Sequence, residues 1–125
     1  MIYFAAHTKD IALGTASVVF PLRHPVRVAK EASPIDRLFP ERLIMGVASG
    51  NRDKDFTALG ISISKLESGG LFKKNYAFLE RLLKEDSPKI NSDLGVIDGT
   101  DMSMIPKPFS SIPTMVTGFS NQSIE

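Results

Sequence analysis

The chain contains no cysteine, which excludes disulfides, thiolate catalysis and Cys-ligated metals. Charge of one sign is also missing. Fifteen Lys and Arg against 14 Asp and Glu leave a net +1, too weak a field to draw nucleic acid or an acidic membrane. No apolar run approaches the ~20 residues that a membrane-spanning helix needs. The N-terminus lacks the basic residues and apolar core of a signal peptide. Only two histidines occur, His7 and His24, and two isolated histidines make no metal site. No HExxH, nucleophile-elbow, GxGxxG or Walker pattern is present. The expectation is a cytoplasmic protein with no nucleic-acid or membrane partner.

What is there suits one globular domain. The 125 residues are 42% hydrophobic and 23% charged, ordinary values for a chain that can bury a core. Met1–His7 is apolar and reads as the end of a helix. Ile11–Phe20 is a near-continuous apolar run with small residues at Gly14, Ala16 and Ser17, as expected of a parallel strand covered on both faces. Pro21 ends it. Pro25 suits a first helical position, and Pro34 predicts a kink or an end to the helix that follows. Arg42–Ala48 reads as a second strand, beginning about 31 residues after the first. Eight βα units in about 250 residues average about the same spacing.

Further on, Ser49–Asp55 reads as a polar loop and Gly69-Gly70 as an interruption. Phe72–Lys84 is the clearest helix, with Phe72, Tyr76, Leu79 and Leu83 on one apolar face. Lys73, Lys74 and Arg81 share that helix with Glu80 and Glu85, a solvated face rather than a binding patch. Ser87–Pro108 shows no convincing long element. Pro113–Thr117 reads as a third strand.

Three segments carry a family resemblance: GTASVVFPLRHPVRVAKEA (Gly14–Ala32), MGVASGNRDKDFTALGI (Met45–Ile61) and IPKPFSSIPTMVTGFSNQSIE (Ile105–Glu125). In that order they resemble the bacterial luciferase-like, flavin-dependent monooxygenases. The resemblance implies an α/β fold: a partial (β/α)8 TIM barrel with parallel strands and outer helices, residues 1–125 forming its middle portion. It implies FMN, or a deazaflavin, as cofactor, with a small organic substrate and a flavin reductase as partners. It places a non-prolyl cis peptide that supports the flavin ring at Ala16-Ser17. Small residues alone have a second reading, close packing of a helix on the strand. It places Ser49 at the strand rim near the flavin phosphate, where luciferases carry an arginine, and Asp53, Lys54 and Asp55 in the adjoining loop. Ser120 and Ser123 match phosphate-binding hydroxyls, although a serine there also serves as an ordinary helix N-cap. His24 belongs to the family's His-Pro helix entry and is not a base. The histidine implicated in luciferase chemistry would precede Met1, so the catalytic residues are unassigned.

Several positions depart from the family. Phe39-Pro40-Glu41 stands where a Gly-Gly turn is usual, Pro34 interrupts a helix, and Leu71 replaces an arginine. A barrel excerpt also has sheet edges that a closed barrel lacks. Two expectations follow: a weakly active or inactive partial enzyme, or a non-catalytic remnant that oligomerises or joins a complementary chain.

Overall fold

Alternation along Leu43–Ala48 selects the core. Leu43, Met45 and Val47 are buried against helices, and the intervening Ile44, Gly46 and Ala48 take the opposite face. The computed structural model describes residues 1–50, 52–63, 65–99 and 106–117. Its elements are α1 (Ile2–His7), β1 (Leu13–Gly14), β2 (Val18–Val19), a short 3-10 turn (Phe20–Leu22), α2 (Pro25–Leu38), β3 (Leu43–Ala48), α3 (Asp53–Ala58), α4 (Lys65–Lys84), β4 (Lys89–Ser92), β5 (Gly95–Asp98) and β6 (Thr114–Thr117).

β3 is the centre of a parallel sheet, paired with β1, β2 and β6. α2 and α4 cover one face. Phe20 sits in this layer, 1% exposed, with its ring 5.6 Å from Phe72 and 6.3 Å from Tyr76. Val28, Ala29 and Ala32 from α2 meet Phe78, Leu79 and Leu82 from α4 in the same core. The other face is open: Gly14, Ala16, Ser17, Met115 and Thr117 are all exposed. This is a partial βα barrel, with the strands near the expected positions and the first two adjacent.

The first strand is not continuous. Leu13 and Gly14 pair with Leu43 and Ile44, whereas Val18 and Val19 pair with Val47 and Ala48. Thr15, Ala16 and Ser17 therefore stand opposite only Met45 and Gly46, a one-residue bulge. The Thr15 N–H donates to Ile44 O at 3.0 Å. Its hydroxyl accepts from the Gly46 N–H at 2.8 Å and donates to Gly46 O at 3.2 Å. The carbonyl oxygens of Thr15 and Ala16 close over Gly46 so tightly that a Cβ there would lie 2.5 and 2.4 Å from them. No cis peptide bond occurs among the described residues, so Ala16–Ser17 is trans, contrary to the expectation from resemblance. The extra residue is taken up by the bulge, which the Thr15 hydroxyl holds against Gly46 with trans peptides throughout.

Local expectations fail where tertiary contacts override them. α2 runs through Pro34 because the turns on either side are held: Val28, Ala29, Ala32, Ser33 and Asp36 are buried, and the Phe39 N–H donates to Ile35 O at 2.9 Å. Proline loses only its bond to Lys30, an exposed residue. α4 passes through Gly69 and Gly70, which lie on its exposed side. Its buried face is Phe72, Asn75, Phe78, Leu79 and Leu82, with Tyr76 and Leu83 at the margin. The expected loop Ser49–Asp55 gives way at Asp53 to α3, whose Phe56 is 2% exposed. Within Ser87–Pro108 an antiparallel hairpin forms, separate from the parallel sheet, and buries Ile90. Its two-residue turn is tied by Ser92 Oγ, which accepts from the Leu94 N–H at 3.2 Å.

Polar side chains fasten the loops. Arg42 reaches Thr8 O (2.8 Å), Ala5 O (3.0 Å) and Ile11 O (2.9 Å), fixing the end of α1 to the sheet. Asp36, 1% exposed, accepts from the Ser110 N–H at 2.8 Å and the Ser110 hydroxyl at 2.6 Å, which sets the approach to β6. Lys107 donates to the carbonyls of Leu82 and Glu85 at the end of α4.

Glu41 occupies the turn where glycine was expected and takes φ +62°, the left-handed region that favours glycine. Glu41→Gly relieves that penalty at a smaller entropic cost, so it is expected to stabilise the fold by about 0.5 kcal/mol. A raised urea midpoint is the check. Gly46→Ala drives a methyl into two backbone carbonyls and is expected to cost about 3 kcal/mol or to prevent folding. An unchanged urea midpoint for Gly46→Ala would show that the bulge is not packed as described.

Candidate functional site

In a parallel sheet all strands end on one rim, where βα barrels place their chemistry. Here that rim is made by Val19, Ala48 and Thr117, which lie in register. The bulge turns Ser17 toward it. Ser17 Oγ lies 3.5 Å from Thr117 Oγ1, so hydroxyls of the two strands flanking β3 meet across it. Only small side chains beneath permit that approach, and β3 supplies Gly46 and Ala48. At 3.5 Å the contact is weak, which leaves both hydroxyls open to another partner.

Ser49 follows Ala48 directly and is half-buried on the same rim. Gly50 then turns the chain at φ +80°, where a Cβ would lie 2.8 Å from Val19 Cγ1 and 2.9 Å from Phe56 Cζ. That turn leads into α3, with Asp53 and Asp55 in its first turn. Arg52 pairs with Asp55 at 3.6 Å, its side chain 72% exposed.

Among the expected site residues, Ser17 meets Thr117 near the strand ends, Ser49 follows β3 at the rim, and Ala16 lies in the bulge opposite Met45 and Gly46. Ser120 and Ser123 lie outside the described residues. His24 is structural, as the His-Pro pattern implies. Its Nδ1 accepts from the Val26 N–H at 3.2 Å, which assigns the proton to Nε2, and Nε2 donates to Leu94 O at 2.7 Å. One ring thus caps α2 and pins the hairpin turn. His7 bonds Tyr3 O at 2.8 Å within α1, remote from the rim.

Three contributors escaped the sequence reading: Thr15, Gly46 and Thr117. The signal for Gly46 was present, a glycine inside an otherwise bulky strand, which marks a close backbone approach. Nothing in the sequence pairs Thr15 with it.

Two cavities lie beside the sheet and α4, and Thr15 borders the first. One of about 640 Å³ runs between α1, α2 and the helix-side face of the sheet, lined by Tyr3, Val28, Ile35, Leu38, Leu43 and Met45. The other, about 480 Å³, lies beside α4 and the 108–114 segment. Neither includes Ser17 or Ser49. Displaced pKa values occur on α4 and the hairpin. A hydrogen bond from Arg81 holds Glu85 below the usual carboxylate range and raises Arg81 itself. Lys74 does the same for Asp93, and Glu80 raises Lys84. Among the described residues no group of three or more His, Asp or Glu could hold a metal, and no helix is long and apolar enough to cross a membrane.

Comparison with known proteins agrees with this geometry. The chain is 29% identical over 119 residues to the alkanal monooxygenase alpha chain of Aliivibrio fischeri, covering 94% of this chain and 32% of that protein. Its fold superposes with a TM-score of 0.77 on an F420-dependent secondary alcohol dehydrogenase in complex with an F420–acetone adduct, at 19% identity over 94% of this chain and 36% of that one. It superposes at 0.72 on the oxygenating constituent of 3,6-diketocamphane monooxygenase from Pseudomonas putida in complex with FMN. There the identity is 17%, over 98% of this chain and 36% of that one. The chain thus spans about a third of the length of the proteins it matches. The model of the luciferase-like monooxygenases matches residues 1–125, and with parallel strands and outer helices in place, the chain belongs to the luciferase-like monooxygenase family.

Proposed function

We propose that residues 1–125 form one segment of an FMN-dependent luciferase-like monooxygenase barrel, with Ala16, Ser17 and Ser49 at the flavin and Ser120 and Ser123 toward its phosphate. One observation carries this reading: Ser17, Ser49 and Thr117 share the strand rim of a chain whose full length matches the family. The residues fit a flat ring. Gly14 and Ala16 are small and exposed on the open sheet face, so a ring can approach the backbone, and hydroxyls stand beside it. Arg52, three residues past Ser49, projects into solvent and pairs with Asp55.

Bound reduced flavin would supply the electrons for oxidation of a small organic substrate by dioxygen. The chain's own part is to bind and orient: the Ser17 hydroxyl donates toward the ring, Ser49 toward the phosphate arm. A separate flavin reductase in the cytoplasm supplies the reduced cofactor. FMN is the form proposed, with a deazaflavin the competing one, on the model of the F420-dependent relative. A neutral serine in place of a charged phosphate contact costs about 2 kcal/mol, roughly thirtyfold in affinity.

A second reading, a non-catalytic unit that joins a second copy or a complementary chain, is favoured by β6, which among the described residues pairs with β3 alone. There Met115 is 65% and Val116 47% exposed. An unpaired strand edge is a template for another strand.

Titration of the full chain with FMN and with F420, followed by oxygen consumption with a flavin reductase and an aldehyde, separates the two. The expected outcome is saturable FMN binding weaker than about 1 μM, weaker again in Ser17→Ala, with little coupled oxidation. Absence of binding at millimolar FMN would defeat the flavin reading and favour the association reading. Tight stoichiometric FMN with coupled oxidation would instead establish a working enzyme.

A further inference from the structure

We propose that Thr15 is a positioning residue of the candidate flavin site, its hydroxyl acting as the latch that holds the Ala16–Ser17 bulge against Gly46. The proposal deepens the flavin reading above and rests on it.

Along a parallel strand, successive residues direct their N–H and C=O groups to alternate neighbours. The Met45 N–H donates to Pro113 O, on the β6 side, at 2.9 Å. Both Gly46 groups therefore face the β1–β2 side, where the extra residue of the bulge has displaced the regular partner. The Thr15 hydroxyl fills that place with both of its functions, accepting from Gly46 N and donating to Gly46 O. A hydroxyl is among the few side-chain groups that can do both from one atom.

The consequence lies two residues further on. With Thr15 tied to Gly46 and Val18 in register with Val47, Ala16 and Ser17 are fixed at both ends. The carbonyls of Thr15 and Ala16 are pressed onto Gly46, which has no side chain to push them away. The Ser17 hydroxyl is thereby aimed across β3 at Thr117. Without the latch, three residues opposite two have no fixed path, and Ser17 loses its direction. Thr15 touches no ligand; it acts through Ser17.

The test compares Thr15→Val, which keeps the shape and removes the hydroxyl, with Thr15→Ser, which keeps the hydroxyl and removes the methyl. Two quantities are read on the full chain: hydrogen exchange of the Gly46 amide by NMR, and the FMN dissociation constant at a temperature where each variant is folded. In Thr15→Val the Gly46 amide is expected to exchange about tenfold faster and FMN to bind about tenfold more weakly. Thr15→Ser should stay within about threefold of the parent in both. A purely structural role would lower the melting temperature without separating the variants in FMN affinity once both are folded. Equal Gly46 protection in Thr15→Val would overturn the latch, and Thr15→Ser binding as weakly as Thr15→Val would overturn the role of the hydroxyl. Should Thr15→Val not fold, Thr15→Ser decides: retained affinity supports the proposal and lost affinity overturns it. A parent chain that binds no FMN would overturn the flavin reading and the positioning role with it, while Gly46 exchange would still report whether the latch exists.

Discussion

β3 carries hydrogen-bonded strands on both edges and helices on one face, and β1, β2, β6 and α2 all take their positions by contact with it. Its core-facing residues Leu43, Met45 and Val47 collect α2 and α4. Its edges fix β1 and β2 on one side and β6 on the other, all parallel, so the strand ends share a rim without any further device. Gly46 is the tightest point on this strand. It receives the Thr15 and Ala16 carbonyls at distances no larger residue allows, and that crowding lets a bulge sit inside a sheet that otherwise runs regularly.

The polar anchors divide the work of placing loops. Asp36 is buried and satisfied by two donors from Ser110, so the segment before β6 is held to α2 rather than left to the strand alone. Burying a carboxylate is tolerable only with such partners. His24 plays the same part between α2 and the hairpin turn, and Arg42 between α1 and the sheet. The exposed ion pairs along α4, such as Lys84–Glu80 and Arg81–Glu85, contribute far less, because solvent screens them.

The proposed flavin site sits where the fold is least covered. On the helix side, aromatic and aliphatic packing excludes water; on the open face, Gly14, Ala16, Ser17 and Thr117 are exposed. A flat ligand could use that face only because its residues are small, whereas protection from water would have to come from structure beyond these strands. The proposed role of this chain's residues is therefore to bind and orient, with no proton transfer.

The sequence by itself determined the parallel strands, the helix near Phe72–Lys84, the structural role of His24 and the family, because these depend on local apolar pattern and motif. Tertiary structure decided the rest. Pro34 and Gly69-Gly70 read as breaks from local propensity, yet α2 and α4 pass through them, since burial of Asp36, Phe78 and Leu82 is worth more than the local penalties. The hairpin hid among Gly, Pro, Ser and Asp residues because its strands are only four residues each and need Ile90 in the core to persist. Family resemblance placed Ala16 and Ser17 at the proposed flavin site, but the bulge that sets their path depends on Thr15 meeting Gly46, 31 residues along the chain. No local pattern encodes a register shift between two strands; it exists only when they pair.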